Sequence, residues 1–319
     1  MGKESANRKV SAFAPASIGN VAVGFDILGL ALPMLGDIVE VSISSAGVTI
    51  EEITGLEVPL PSNPEKNTAG KALIEMIKGE KLDFGFSIKI KKGIPLGSGM
   101  GGSAASAVAA VVAANEFLTR KLNKEELFNY AVQGEAVASG VAHGDNVAPA
   151  LFGGITLCLK QNLDRWKVVE LPYPKDIYCT ILHPHIVVET KMARAILQKD
   201  IALSKHIEQS SHLASFLVGL YNGDWDLLQG SVRDVIIEPQ RSSLIPHFDL
   251  FKKVAWDTGC LGFSISGAGP SVFALSQGQT TAKSLLEKWQ ALKQKLSYNF
   301  DLWSCEIDCC GARLMDVND

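Results

Sequence analysis

The stretch PLGSGMGGSAAS, residues 95–106, constrains this chain more than any other. Glycines at 97, 99, 101 and 102 leave the loop almost no side chains to pack with. Glycine loses much entropy on folding, and it is useful where backbone must take a positive φ or approach a ligand closely. Directly after the loop, residues 103–118 are rich in alanine and valine and carry no charge before Glu116. A helix apolar on every side belongs inside a domain. A glycine loop opening into such a helix brings unpaired amide groups and the positive end of a helix dipole to one point, which suits an anion. The expectation is a polyphosphate held by backbone amides. A plain strand-to-helix turn needs one or two glycines, not four.

Two better-known phosphate loops do not fit. The P-loop pattern G-x-x-x-x-G-K-[ST] is met in spacing by Gly97 and Gly102, but Ser103 stands where the lysine is required. The dinucleotide fingerprint G-x-G-x-x-G is matched literally by Gly97, Gly99 and Gly102. However, residues 93–96 separate it from the preceding strand, and the acid at the right distance, Glu116, lies inside the helix.

At 319 residues the chain is long enough for two domains of ~150 residues each. With 47% hydrophobic and 20% charged residues, extended disorder is excluded. The net charge of −4 is opposite to a nucleic-acid footprint, so an anion site has to be local. The longest uncharged run of small and apolar residues, 103–114, is far short of the ~20 residues of a membrane span. The start, MGKESANRKV, has no apolar signal run. A soluble, cytoplasmic protein with neither nucleic-acid nor membrane partners is expected. The six cysteines read as reduced thiols: Cys305, Cys309 and Cys310 cluster without the paired spacing of a metal ribbon. His183 and His185 are an equally weak metal signal.

Strands are expected at Val10–Phe13, Asp37–Ser44, Val48–Glu52 and Phe86–Lys91. The last alternates apolar Phe86, Ile88 and Ile90 with polar neighbours, so one face is buried. Asn123 caps the next helix, with Glu126 completing a capping box. A strand follows near residues 154–159, and residues 164–174, with two prolines, read as a connection. Beyond it the pattern gives a strand at Tyr178–His183 and helices at about 190–203, 206–222 and 224–230. Helix Phe248–Thr258, strands Gly262–Ser266 and Val272–Leu275, helix Thr280–Lys295 and a strand near 300–308 complete it. Strands and helices mix without regular βαβ alternation, which argues an α+β fold. The domain division is placed within about fifteen residues of 160, giving domains 1–160 and 161–319.

At this point the chain resembles the GHMP kinases, whose phosphate loop reads P-x-x-x-G-L-G-S-S-A-A. Residues 95–105 fit, with Met100 for leucine and Gly102 for the first serine. Two further motifs match in order, APASIGNVAVGFDILG (14–29) and ISGAGPS (265–271). Within the family, GFDILG, GEAVASGVAHGDNVAPALFGG (134–154), ETKMAR (189–194) and EPQR (238–241) are similar to the branch that phosphorylates L-homoserine. The resemblance implies a two-domain fold, an N-terminal domain like the second domain of ribosomal protein S5 and a C-terminal α+β sandwich domain. It also implies a homodimer, and ATP with Mg2+ on the loop with the acceptor between the domains.

The residue roles follow from the same resemblance. Pro95, Leu96, Gly97, Ser98, Gly99, Met100, Gly101, Gly102, Ser103, Ala104 and Ala105 would cradle ATP, with Asn67 and Lys92 near the adenine. Ser103 and Glu135 would hold magnesium. Phe128, Ala131 and Val132 precede Glu135 by seven, four and three positions, so its carboxylate sits on an apolar helix face and wants a partner. Asn20 and Asp26 would meet the acceptor, and Asp26, Glu135 and Ser103 form the catalytic set. Asp26 serves either as general base or only to orient the hydroxyl. His143 and Asn146 would line the acceptor pocket. Thr190 and Arg194 are four apart and share a helix face. Arg194 and Arg241 can grip a carboxylate bidentately, which fits an amino acid and not a sugar. The backbone at Gly267 would close over phosphates or substrate. A GHMP kinase for mevalonate, shikimate or a sugar, and a catalytically dead relative, are the competing readings. The paired arginines speak against the first, and the intact Ser103, Glu135 and Asp26 against the second.

Overall fold

The computed structural model describes residues 8–139, 143–162, 165–296 and 298–315. Strands β1 (Lys9–Gly19) and β2 (Leu28–Ser44) open the chain, followed by β3 (Val48–Thr54), helix α1 (Thr68–Glu80) and β4 (Gly85–Lys91). Next come α2 (Gly102–Asn115), α3 (Lys124–Ser139), α4 (Val147–Phe152), β5 (Ile155–Asn162) and β6 (Arg165–Leu171). The second half holds β7 (Ile177–Pro184), α5 (Thr190–Ala195), α6 (Leu203–Asn222), α7 (Trp225–Leu228) and α8 (Glu238–Arg241). It closes with α9 (Phe248–Asp257), β8 (Gly262–Ile265), β9 (Val272–Gln277), α10 (Gly278–Lys293), β10 (Phe300–Glu306) and β11 (Arg313–Leu314).

Two sheets result. The first has seven strands in the order β11-β1-β2-β4-β3, with β5 paired to β2 and β6 to β5. Only β3 and β4 run parallel within it. The length of β2 explains the branching, because its first residues pair with β5 and its last with β4. The second sheet is antiparallel, in the order β10-β7-β9-β8. Separate sheets of mostly antiparallel strands with helices packed on them make an α+β architecture of two domains.

Helix α2 is the centre of the first domain, with Ala104, Ala107, Val108, Ala110, Val111 and Ala114 wholly buried. Its small side chains let α1, α3, β1 and β2 pack around one rod. In β4, Phe86, Ile88 and Ile90 are buried between more exposed polar neighbours, as the period-2 pattern requires. Asn123 and Glu126 cap α3 reciprocally, each side chain accepting the other's backbone N–H at 2.9 and 2.8 Å. In the second domain Phe251, Trp289, Phe263 and Phe300 meet edge to face in a compact aromatic core.

The structure corrects several sequence expectations. Residues 164–174 are not a plain connection: β6 runs to Leu171, and both prolines, at 172 and 174, lie just beyond it. The chain changes sheet between Leu171 and Ile177, and β11 returns to the first sheet. Helix α5 stops at Ala195 instead of 203. Helix α1 escaped notice, although Ala69, Ala72, Leu73 and Met76 form a buried i, i+3, i+4, i+7 stripe.

Candidate active site

The glycine loop between β4 and α2 takes its shape from close backbone approach. Gly97, Gly99 and Gly101 have φ of 62°, 76° and 69°. A Cβ on Gly99 would stand 2.4 Å from the Ser266 carbonyl oxygen and 2.7 Å from that of Gly269. One on Gly101 would stand 2.2 Å from Ser17 Oγ. The loop is therefore pressed against β1 and the turn after β8. Its carbonyls are tied back into the protein: Ser17 N–H donates to Met100 O (3.1 Å), Ser271 N–H to Ser98 O (3.2 Å) and Ser266 Oγ to Gly99 O (2.8 Å). What the loop can offer a ligand is its amide hydrogens and the start of α2, an anion-binding arrangement. At Gly102, the departure from the family motif, a Cβ would stand 3.3 Å from the Ile94 side chain and 3.5 Å from the Lys92 amine, so Ile94 would have to give slightly to admit one.

Ser103, in the first turn of α2, donates its hydroxyl hydrogen to Glu135 Oε1 at 2.9 Å. Glu135 sits on α3 above Phe128, Ala131 and Val132, all buried. Burial is the main force pushing its carboxyl up to about 7; the Ser103 hydrogen bond opposes this and the nearby Asp145 charge adds to it. A hydroxyl and a carboxylate at this separation supply two hard oxygens. That suits a magnesium ion, which keeps several waters and takes one or two protein ligands. Among the described residues no cluster of three or more His, Cys, Asp or Glu offers a fuller metal cage.

On the acceptor side, the loop from β1 to β2 holds Asn20, Val21, Ala22 and Asp26 at positive φ, between 42° and 71°. Such conformations are costly for non-glycine residues and concentrate at functional sites. The loop is fixed by Asn20, whose Oδ1 accepts the Asp26 N–H at 2.9 Å and whose Nδ2 donates to Gly267 O at 3.0 Å. Arg194, on α5, donates to both Asp26 carboxylate oxygens at 2.8 and 2.9 Å. His143 Nδ1 lies 3.6 Å from Asp26 Oδ1, and burial, only partly offset by Asp26, lowers the imidazole's pKa. Arg241, on α8 and only 3% exposed, donates from Nε to Ala193 O (2.9 Å) and from Nη1 to Gly267 O (3.1 Å). Both guanidiniums stand over the ring of Phe25, at 5.4 and 5.3 Å from its centroid. Helix α8 is itself held by Asp234, which accepts the backbone N–H groups of Ile236, Ile237 and Glu238.

These groups share one cavity of about 210 Å³. Asn20, Asp26, His143, Asn146, Thr190, Arg194, Arg241 and Gly267 line its acceptor side; Ser103, Glu135 and loop residues Pro95–Gly99, Gly101 and Gly102 line the other. Met100, Ala104 and Ala105 are wholly buried behind it. Asn67 and Lys92, expected near the adenine, have their polar atoms engaged elsewhere. Asn67 caps α1 by accepting from Ala69 and Gly70 N–H and donates to Pro61 O. The Lys92 amine is bonded to Asp37, Gly102 O and Ser106. Sequence reasoning missed Phe25, Asp37 and Asp145. Asp145 lines the cavity at 4% exposure, its carboxyl pushed up to about 7 by burial and then by Asp26. Its signal was its place between Gly144 and Asn146 in a motif already singled out. Phe25 and Asp37 carried no signal beyond their neighbours.

Comparison with known proteins gives the family. Residues 67–154 match the GHMP kinases N terminal domain and 216–294 the GHMP kinases C terminal domain. The homoserine kinase of Xylella fastidiosa strain 9a5c is 43% identical, covering 97% of this chain and 95% of its own. That of Chloroherpeton thalassium is 41% identical over 97% of this chain and all of its own. A crystal structure of homoserine kinase from Cytophaga hutchinsonii superposes with a TM-score of 0.92 at 41% identity, covering 99% of this chain and 100% of that one. Mevalonate kinase from L. major, in complex with R-mevalonate, shares the fold at 15% identity, TM-score 0.68, with 92% of this chain and 95% of that one covered. The chain belongs to the GHMP kinases, and within them to the homoserine kinase branch.

Proposed function

We propose that the protein transfers the γ-phosphoryl group of ATP to the hydroxyl of L-homoserine, forming ADP and O-phospho-L-homoserine for threonine biosynthesis. The observation that carries this reading is the gathering of Arg194 and Arg241 at the ring of Phe25, beside Asp26, in the cavity that the glycine loop also lines. Two guanidiniums lining one cavity suit the α-carboxylate of an amino acid. A sugar would leave Arg241, whose hydrogen bonds here go to backbone carbonyls, without a charged partner. The names of the similar proteins agree with it.

Phosphoryl transfer asks mainly for positioning and charge neutralisation. In this reading the amides of Gly97–Ser103 and the dipole of α2 hold the ATP phosphates. Arg194 and Arg241 clamp the α-carboxylate of the acceptor, and Asn20, Asn146, His143 and Thr190 shape the space around its chain. Asp26 accepts a hydrogen bond from the hydroxyl and so aims its oxygen at the phosphorus. A loose transition state needs little early proton removal, so orientation suffices. Ser103 and Glu135 would hold Mg2+, which neutralises charge on the phosphoryl oxygens when bound. Gly267 contributes its carbonyl, which braces Asn20 and Arg241. We further read the protein as a cytoplasmic homodimer. Among the described residues no helix is long and apolar enough to cross a membrane.

The test is ADP release from Mg-ATP by purified protein offered L-homoserine, mevalonate, shikimate and galactose in turn. Turnover with homoserine alone is expected. Preference for another acceptor would overturn the substrate, and turnover with none would leave a non-catalytic relative.

A further inference from the structure

Behind the glycine loop lies a buried ion pair that the chemistry above does not use. Asp37, on β2, is wholly buried, and Lys92, which follows β4, is 5% exposed. The Lys92 amine is bonded to Asp37 Oδ2 and donates to Gly102 O at 2.6 Å and Ser106 Oγ at 2.9 Å. That occupies all three of its hydrogens. Ser106 Oγ donates in turn to Asp37 Oδ2 at 2.6 Å. The other carboxylate oxygen, Oδ1, accepts the backbone N–H groups of Gly93 (3.0 Å) and Ile94 (3.3 Å). A Cβ on Gly93 would stand 2.2 Å from Gly36 O, so the two backbones meet with no side chain between them. One carboxylate thus ties down both ends of the loop, its start at 93–94 directly and its exit at 102–106 through Lys92 and Ser106.

A buried ion pair is a weak source of stability, because desolvation offsets most of the attraction and apolar replacements are often neutral. Its position suggests another use. It sets the span of the loop between Ile94 and Gly102, and it holds the Lys92 amine against the first turn of α2.

We infer that Asp37 and Lys92, with Ser106, are positioning residues for the nucleotide's phosphates: they fix the loop so that its amides converge on the polyphosphate, and they do not contact the base. The inference rests on reading this cavity as the nucleotide site. It separates the parts of the nucleotide, since loosening the clamp should weaken recognition of phosphates and leave recognition of the nucleoside intact.

The probes are Mg-ADP and adenosine, titrated calorimetrically against the full chain. The double variant Asp37→Asn/Lys92→Met removes both charges and leaves neither one buried alone. It should bind Mg-ADP about tenfold more weakly, with adenosine affinity and the homoserine KM unchanged. Ser106→Ala, which trims one arm and keeps the ion pair, should shift Mg-ADP affinity in the same direction by less. Parallel losses for adenosine and Mg-ADP would put Lys92 at the base and overturn the inference. Unchanged Mg-ADP affinity in the folded double variant would make the pair merely structural. If that variant does not fold, Ser106→Ala decides, and no change there overturns the clamp. A wild-type chain that binds Mg-ADP but phosphorylates no acceptor would sink the proposed reaction and leave the clamp standing.

Discussion

Arg241→Met divides the acceptor half of the cavity from the nucleotide half. Methionine fills much of the arginine stem's volume and removes both the charge and the planar fork. The structural cost is contained. Gly267 O keeps the Asn20 amide as a donor at 3.0 Å, so Ala193 O is the acceptor left bare. One stripped backbone acceptor costs about 1–3 kcal/mol, small against the ~5–15 kcal/mol of a folded protein, so the variant should fold. The functional cost is a charge-assisted contact to the acceptor carboxylate. At about 1.5–3 kcal/mol it corresponds to roughly a tenfold to hundred-and-fiftyfold loss of acceptor affinity. Arg194 remains to hold part of the carboxylate, so activity at high homoserine should survive. The assay is steady-state ADP release, varying homoserine at saturating Mg-ATP and then the reverse. The homoserine KM should rise within that range while the ATP KM stays put. An equal rise in both would refute the reasoning and move Arg241 to the nucleotide or to a structural role.

Three further outcomes are expected. Glu135→Gln keeps the shape of the side chain but loses the anionic oxygen; kcat should fall by two orders of magnitude or more, on the order of 3 kcal/mol, with the circular dichroism spectrum unchanged. Gly99→Ala adds a Cβ 2.4 Å from the Ser266 carbonyl at a φ of 76°, so thermal stability and ATP binding should drop together; wild-type values for both would show that the loop is not pressed as described. The third concerns pH. Glu135 titrates near 7, above its ordinary value, so the magnesium-free fold holds a proton that the unfolded chain releases, and its stability falls as pH rises from 4.5 to about 7. Only the deprotonated carboxylate binds a cation well, so Mg2+ should raise the thermal midpoint more at about pH 8 than at about pH 6. Equal magnesium stabilisation at both would remove Glu135 from the cation.

The legible part of this molecule was whatever a linear pattern fixes. Alternation in β4, the capping box of α3 and the uncharged run of α2 are local, and the structure has each where its pattern lies. The meeting of Ser103 and Glu135 was implied by the family resemblance; the apolar face of α3 said only that Glu135 wants a partner. Strand β6 was lost because the prolines at 172 and 174 were read as breaking it, whereas they only end it. Helix α1 was masked by Gly70 and Gly79, and each of them faces a close neighbour, Pro64 and Tyr130, where a Cβ would clash. Asp37 and Phe25 were illegible for a different reason. Their roles come from partners distant in sequence, Lys92 and Ser106 for one and Arg194 and Arg241 for the other. No spacing along a single chain announces such meetings. An isolated lysine likewise does not reveal a buried aspartate fifty-five positions earlier.

The most direct measurement is a crystal structure of the protein with Mg2+, a non-hydrolysable ATP analogue and L-homoserine. The polyphosphate should lie against the amides of Gly97–Ser103, with the cation at Ser103 and Glu135 and the amino-acid carboxylate between Arg194 and Arg241. A nucleotide bound elsewhere, with the glycine loop bare, would contradict the account.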